Sequence, residues 1–180
     1  MLEDTGLNEL ESTVGGHVLR PGGQDYELAR RVFNAMIDRR PAAIVRCAGP
    51  DDVIAAVNCA RSHDVPLSVK GGGHSVAGTA VCEGGIMVDL SPMKGVRVDP
   101  DRQLAVAQPG LTLAEFDSAS QAFGLATTMG VVSMTGIAGL TLGGGIGWLN
   151  GRYGLACDNL IGADVVTADG RVLSANDVEH

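Results

Sequence analysis

The sequence predicts an α+β fold, made of a small β-α-β unit followed by a second part that mixes short strands with one amphipathic helix. Residues 43–70 carry a strand, helix, strand pattern, which is typical of a compact β-α-β unit. Hydrophobic residues make up 45% of the 180 residues, which is ordinary for a globular chain and too high for a disordered one. We place the division between the two parts near residues 90–95.

The chain begins with a lead-in that we expect to lie outside the domain. Residues 1–24 contain the turn-forming run Arg20-Pro21-Gly22-Gly23 and predict a loosely structured segment. The domain is predicted to cover residues 25–180. Its first helix is expected over residues 25–37, where apolar residues recur at helical spacing and Asp25 can cap the helix.

The β-α-β unit follows this helix. Apolar runs at residues 43–47 and 66–70 predict its two strands. Pro50 opens the intervening helix, which is expected to end near His63.

The second part is predicted from further apolar runs separated by turn residues. A further strand at 85–90 precedes the division. The expected elements beyond it are strands at 96–99 and 104–107, a helix from Leu111 to Phe123 stopped by Gly124, and strands at 161–167 and 171–173.

Charge and cysteine content exclude several classes of function. The chain has 13 Lys+Arg against 21 Asp+Glu, a net charge of −8, so no basic surface is available to bind nucleic acid or anionic lipid. The four cysteines show neither zinc-site spacing nor a disulfide framework. The acidic N-terminus does not resemble a signal peptide. We expect a cytoplasmic protein with reduced thiols.

An uncharged stretch over residues 129–149 raises the alternative of a membrane-spanning helix, because 21 residues suffice to cross a bilayer. Seven of these residues are glycines, three of them consecutive at Gly143–Gly145. Each interior glycine costs a helix about 0.8–1 kcal/mol relative to alanine. We therefore expect no membrane partner.

Glycine is the unusual component of this chain. It accounts for 26 residues, of which 18 lie between Gly71 and Gly154. Successive glycines can turn backbone N–H groups toward an anion, which suggests a phosphate-bearing ligand. Neither the P-loop motif nor the dinucleotide fingerprint fits the sequence. For the run Gly143–Gly145, ligand contact and a close-packed turn remain equally good interpretations.

His74 is the most informative single residue. It follows three glycines directly after a predicted strand, and a near-neutral pKa makes imidazole a usable nucleophile or base. A loop histidine that only hydrogen-bonds the backbone is the structural alternative. His17, His63 and His180 have no partner pattern, so we expect them at the surface.

Three segments together resemble a known family. Residues 69–78, Val-Lys-Gly-Gly-Gly-His-Ser-Val-Ala-Gly, resemble the flavin-attachment loop of FAD-linked oxidases of the vanillyl-alcohol oxidase type, which carry a PCMH-type FAD-binding domain. The branch they most resemble is berberine-bridge-enzyme-like and 6-hydroxynicotine-oxidase-like. Residues 139–160 resemble its second FAD segment, and residues 163–170 resemble the strand after it. The resemblance covers about residues 25–180.

The resemblance implies a PCMH-type FAD-binding domain with FAD as its cofactor. It implies that His74 carries the flavin covalently, through the carbon of the 8α-methyl group. The other implied cofactor-binding residues are Gly71, Gly72, Gly73, Ser75, Val76, Ala77, Gly78, Thr135, Gly136, Gly139, Gly143, Gly144, Gly145, Ile146, Gly147 and Leu155.

The sequence departs from the family pattern at several positions. Val132 stands where some members attach the flavin a second time through cysteine, so one covalent bond is expected. Thr135 occupies the position that governs oxygen access in some members of the family. The sequence therefore does not decide between an oxidase and a dehydrogenase. Leu140 replaces a histidine of the plant members. Cys157 is interpreted as a packing cysteine.

The resemblance implies a flavin-dependent oxidoreductase that oxidises a small alcohol, amine or sugar by hydride transfer to flavin, with oxygen as acceptor. Family members continue into a substrate domain that this sequence does not reach, so we expect the catalytic base there and name none here. A non-catalytic, truncated flavin-binding fragment is the alternative. Expected partners are a small-molecule substrate and either the substrate domain or a second copy of the chain.

Overall fold

A computed structural model describes residues 4–180, and its secondary structure matches the predicted α+β class. The helices within these residues are α1 (Asp4–Thr13), α2 (Gln24–Ala29), α3 (Pro50–Ser62), α4 (Leu113–Gln121), α5 (Ile137–Leu142) and α6 (Asn150–Tyr153). The strands are β1 (His17–Leu19), β2 (Ala43–Arg46), β3 (Leu67–Lys70), β4 (Ile86–Asp89), β5 (Val96–Asp99), β6 (Leu104–Ala107), β7 (Gly162–Val166) and β8 (Val172–Asn176).

The predicted β-α-β unit is confirmed and supplies two strands, β2 and β3, of a four-stranded sheet. Its strand order is β1-β2-β4-β3, with β2 and β3 both parallel to the central strand β4. The carboxyl ends of these three strands therefore lie at one edge of the sheet. The last residues of the three strands lie side by side in register, in the order Arg46, Asp89, Lys70.

The prediction of a loosely structured lead-in is wrong for residues 4–23, while residues 1–3 lie outside the described part of the chain. Leu7 and Leu10 of α1 are buried in the core, and β1 pairs antiparallel with β2. The buried Asp52 carboxylate accepts hydrogen bonds from the backbone N–H groups of Gly15 and Gly16, at 2.7 and 3.0 Å. The segment is therefore an ordered edge of the sheet. The boundary of the domain at residue 25 stays a prediction.

The predicted helix over residues 25–37 is too long, because α2 ends at Ala29. Beyond it the chain turns toward the loop after β3, where the N–H of Phe33 donates to the carbonyl of Gly73 at 2.9 Å. Val32 and Ile37 still pack against the buried cluster that contains Tyr26, although their backbone is not helical. Tertiary contacts thus replace the last two predicted turns.

The core of the first part lies on both faces of the sheet. One face packs Val45 and Val88 against α1 and α3, while the other packs Ile44 and Met87 against Tyr26. Strands buried on both faces follow from the continuous apolar runs that predicted them.

The second part contains the predicted β5–β6 and β7–β8 hairpins. Its helix α4 is two residues shorter at each end than predicted, because it begins after Thr112 and ends at Gln121. Gly124 follows with a φ of +68°, so it turns the chain beyond the helix and does not cap it. The sheet of the first part ends at Asp89 and β5 begins at Val96, but the division near 90–95 stays a prediction. The glycine-rich stretch contributes only the six-residue helix α5. Among residues 4–180, no helix is long and apolar enough to cross a membrane.

Candidate flavin site

The first glycine loop, residues 71–78, leaves the carboxyl edge of the sheet at the end of β3. Leu90 N–H donates to the carbonyl of Lys70 at 2.8 Å and so fixes the point where the loop begins. Gly73 and Gly78 have φ values of +70° and +73°, which residues with a side chain rarely adopt. The loop therefore needs glycine at these two positions for its shape.

The structure brings this loop against Thr135 and Gly136, as the predicted site requires. A Cβ on Gly72 would lie 2.6 Å from the Cα of Gly136, so the two backbones leave no room for a side chain. Thr135 is held by its carbonyl, which accepts the N–H of Leu113 at 2.9 Å. Because Gly136 is the N-cap residue of α5, the loop contacts the start of that helix.

Most backbone N–H groups of this loop are left unpaired by the described part of the protein. Within residues 4–180, none of the N–H groups of residues 72–77 donates a hydrogen bond to a protein atom. Most of these N–H groups belong to half-buried or exposed residues and are therefore free to donate to water or to a ligand. Such an arrangement suits an anion that can accept several of them, as a pyrophosphate does.

His74 lies within this row of donors and is held in place by two contacts. Its ring stacks on Phe33, with centroids 4.6 Å apart and planes 17° from parallel. Its Nδ1 lies 3.1 Å from the carbonyl oxygen of Gly72. Its Nε2 is buried and has no hydrogen-bond partner in the described part of the chain. The simple alternative of a loop histidine satisfied by the backbone therefore accounts for only one ring nitrogen.

Side chains outside the glycine loop hold it in place, and the sequence indicated none of Asn34, Arg39 and Thr79. Asn34 Nδ2 donates to the carbonyl of Val76 at 2.8 Å, and Ser75 Oγ lies 2.7 Å from Thr79 Oγ1. Arg39 donates to the carbonyls of Gly78 and Val81. No spacing rule indicates Asn34 or Arg39, because each contact joins residues about 40 positions apart.

Positive charge lies beneath the loop at the sheet edge. Burial lowers the pKa of the Lys70 amine below its usual value, and the nearby Asp89 carboxylate opposes this shift only in part. Lys70 Nζ donates to the carbonyl of Ala29 at 2.6 Å, and Arg46 Nε lies 3.7 Å from Asp89 Oδ2. The row of Arg46, Asp89 and Lys70 thus carries a net positive charge at the carboxyl edge of the sheet, where the loop begins.

The second glycine run forms its own cluster further along α5. Gly136 and Gly143 cap the two ends of this helix, which separates them by about 10 Å at 1.5 Å per residue. Ala156 and Cys157 donate their N–H groups to Gly145 and Gly144, both at 2.9 Å. Leu155 also lies against Gly144. The predicted residues Gly143–Gly147 and Leu155 are thus brought together at the far end of α5. The loop that carries His74 contacts the other end of this helix, at Gly136.

Close packing explains part of the glycine run. A Cβ on Gly145 would overlap Ala156, and one on Gly147 would lie 2.5 Å from the carbonyl of Met129. Close packing therefore explains why glycine stands at these two positions. Gly139 differs, because a Cβ there would meet no protein atom within 4 Å. Ile146 is largely exposed between the two packed glycines.

The interpretation of Cys157 as a packing cysteine is wrong, because its side chain is exposed. Its backbone N–H supports Gly144 instead. The four cysteines are free, and residues 4–180 contain no cluster of three or more side chains that could hold a metal ion. His17, His63 and His180 are exposed, as predicted.

Comparisons with known proteins agree with this geometry. A family model described as an FAD binding domain matches residues 41–176. The chain is 34% identical to (R)-6-hydroxynicotine oxidase of Paenarthrobacter nicotinovorans over 168 residues, covering 93% of this chain and 37% of that protein. It therefore spans a little over a third of the length of this relative.

Solved structures show the same fold. BBE-like 1 of Physcomitrella patens superposes with a TM-score of 0.91 at 29% identity, covering 96% of this chain and 38% of that one. A carbohydrate oxidase from Microdochium nivale gives 0.89 at 31% identity, covering 97% and 38%. The fold is that of a PCMH-type FAD-binding domain.

Proposed function

The chain belongs to the FAD-binding-domain family of FAD-linked oxidoreductases, and from that membership we propose that it forms the FAD-binding part of an oxidase that holds its flavin covalently on His74. FAD is the cofactor of the family. The observation that carries the proposal is the row of six unpaired N–H groups, which surrounds a histidine with an unpartnered, buried ring nitrogen.

The residues present fit FAD at both glycine segments. The N–H groups of residues 72–77 bind the pyrophosphate, and the charge of Lys70 and Arg46 offsets its negative charge. Gly139, Gly145, Ile146, Gly147 and Leu155 contact the remainder of the cofactor. Within the described residues, the N–H groups of residues 145–147 also lack a protein acceptor, which leaves them available although the glycines themselves are packed.

The covalent link joins one ring nitrogen of His74 to the 8α-methyl carbon of the flavin. The bond replaces one methyl hydrogen and the imidazole N–H hydrogen, and dioxygen takes up the two electrons and two protons. Because Nδ1 contacts the Gly72 carbonyl, Nε2 is the ring nitrogen without a protein partner among the described residues.

The flavin supplies the redox chemistry by accepting a hydride from a small organic substrate. The names of the similar proteins include a 6-hydroxynicotine oxidase and a carbohydrate oxidase. We propose an amine, alcohol or sugar as substrate class, with oxygen as the final acceptor. The catalytic base would come from the parts that the longer relatives possess.

Exposed apolar side chains next to the second glycine run indicate a covering partner. Leu142, Ile146 and Trp148 are all exposed, and Trp148 retains 85% of its accessible surface. An apolar surface of this kind is usually covered in the working protein. We propose that a substrate domain or a second copy of the chain covers it, and that the protein acts in the cytoplasm with its four thiols reduced.

Titration of the chain with FAD, followed by flavin fluorescence, tests the proposal. If the loop binds the pyrophosphate, ADP competes with FAD, whereas riboflavin, which lacks phosphate, competes poorly. Peroxide release on addition of amines, alcohols or sugars then separates a working oxidase from a non-catalytic fragment. Absence of FAD binding, or equal competition by riboflavin and ADP, would contradict the proposal.

A further inference from the structure

Phe33 is an exposed aromatic side chain whose ring stacks on the imidazole ring of His74. It retains 63% of its accessible surface, yet its ring stacks on the imidazole of His74 at 4.6 Å. The side chains next to it in sequence behave differently, because Val32 packs against the buried cluster of Tyr26, Ile44, Val81 and Met87. Phe33 contributes little buried area to the core, so its stabilising effect on the fold is small.

The backbone around Phe33 is anchored on both sides of His74. Phe33 N–H donates to the carbonyl of Gly73, the residue before His74. The next residue, Asn34, donates from Nδ2 to the carbonyl of Val76, two residues after His74. Lys70 Nζ holds the carbonyl of Ala29, where α2 ends. The Phe33 ring is therefore carried by a segment that is tied to the loop it contacts.

These anchors explain why the chain leaves helical geometry after Ala29. A continued α2 would keep its N–H groups within the helix, and the bond from Phe33 to Gly73 would be lost. The observed path exchanges helical hydrogen bonds for contacts to the glycine loop. The segment thus acts as a support for the loop around His74.

We infer that Phe33 is a positioning residue that holds the plane of the His74 imidazole, so that a ring nitrogen faces the flavin methyl group before the covalent bond forms. The inference rests on the proposed attachment at His74. The stack restricts rotation of the ring, and the contact of Nδ1 with the Gly72 carbonyl restricts it further. Fixing a reacting group near its attack geometry accelerates bond formation without strengthening cofactor binding.

The test compares attachment rate with FAD affinity in matched variants. Phe33→Leu removes the aromatic face, and Phe33→Tyr keeps it. Phe123→Leu makes the same change at an exposed phenylalanine (52% exposed) just beyond α4. Excess FAD is added to each 180-residue apoprotein, and acid-stable flavin is measured over time.

Phe33→Leu is expected to slow covalent attachment by about 10- to 100-fold while changing the FAD dissociation constant by less than about threefold. Phe33→Tyr and Phe123→Leu are expected to keep the rate within about twofold of the parent chain. An unchanged rate in Phe33→Leu would overturn the inference. A loss of affinity as large as the loss of rate would also overturn it, because Phe33 would then only stabilise the loop.

A second measurement needs no cofactor. The ring current of Phe33 shifts the His74 ring protons upfield in the NMR spectrum of the FAD-free chain, and Phe33→Leu is expected to abolish this shift. His74 signals that are the same in both proteins would overturn the inference. If the parent chain forms no acid-stable flavin, the proposed attachment fails, while the NMR comparison still decides whether Phe33 holds the imidazole.

Discussion

Gly72 and Gly136 meet backbone to backbone, and neither has room for a side chain. A Cβ on Gly136 would lie 2.7 Å from the Cα of Gly72, and the reverse distance is 2.6 Å. The contact joins the loop after β3 to the N-cap residue of α5. The two glycine-rich segments therefore depend on one another for their position, and the site exists only when both parts of the chain are folded.

Replacing Gly72 with alanine is expected to separate the loop from α5. The new methyl group would meet backbone that cannot move aside, and overpacking of this kind costs about 1–3 kcal/mol. We expect a lower free energy of unfolding, measured with urea, and weaker FAD binding.

Gly151→Ala is the matched control for this change, because a Cβ at Gly151 would meet no atom within 4 Å. Gly151 lies in α6, where alanine is expected to be neutral or to stabilise by up to about 1 kcal/mol. Equal loss of stability in the two variants would show that the Gly72 contact has no special effect.

The start of α4 is predicted to confer pH-dependent stability through Glu115. Its carboxylate accepts the ammonium of Lys94 at 2.6 Å and the N–H of Thr112 at 2.7 Å. The Lys94 ammonium foremost, helped by the Thr112 N–H, lowers the pKa of Glu115 from 4.5 to about 2. Because the folded-state pKa is depressed, this stabilisation is complete above pH 4.5 and is lost as the pH falls toward 2.

The expected result is measured by urea unfolding of the parent chain and Glu115→Gln. At pH 6 the variant should be less stable by about 0.5–1 kcal/mol, the range of exposed caps and ion pairs. At pH 3 the difference should narrow. Lys94→Gln removes the main cause of the depressed pKa of Glu115. In a Lys94→Gln background, the stability difference caused by Glu115→Gln at pH 6 should therefore also be smaller. A difference that does not change between pH 6 and pH 3 would refute the assignment.

The cysteines are expected to differ in reactivity. Burial, with a smaller contribution from Asp52 and Asp89, raises the pKa of the Cys47 thiol to about 12. The thiolate is the reactive form, so Cys47 should resist alkylation at neutral pH until the chain unfolds. Cys157 is exposed and should react first. Peptide mass spectrometry after brief maleimide treatment measures this order, and labelling of Cys47 as fast as Cys157 would contradict the packing of the core.

Local pattern was sufficient to predict much of the fold. The strands β2, β4, β5 and β6 follow from short apolar runs, and α3 follows from Pro50 and the spacing after it. The end of α2 could not be predicted, because it depends on the bond between Phe33 and Gly73. The order of residues 4–23 could not be predicted for a similar reason, because Leu7 and Leu10 are buried only by their contacts with the core of the sheet.

In the candidate site, too, local features could be predicted and contacts between distant residues could not. Glycine density and His74 indicated the loop, because bare backbone and an imidazole are visible in sequence. Phe33 and Asn34 were not indicated, because their contacts with His74 and Val76 join residues about 40 positions apart. The resemblance to FAD-linked oxidases identified the cofactor, which geometry alone narrows only to a ligand with several anionic acceptor atoms.

The most direct test of the account is the mass of the denatured chain after incubation with FAD in air. The parent chain should gain the mass of one FAD less two hydrogens and stay yellow after acid precipitation. His74→Ala should keep its unmodified mass while still binding FAD reversibly, and His63→Ala, at an exposed histidine, should behave like the parent. An unmodified parent chain, or an adduct that persists in His74→Ala, would contradict covalent attachment at His74.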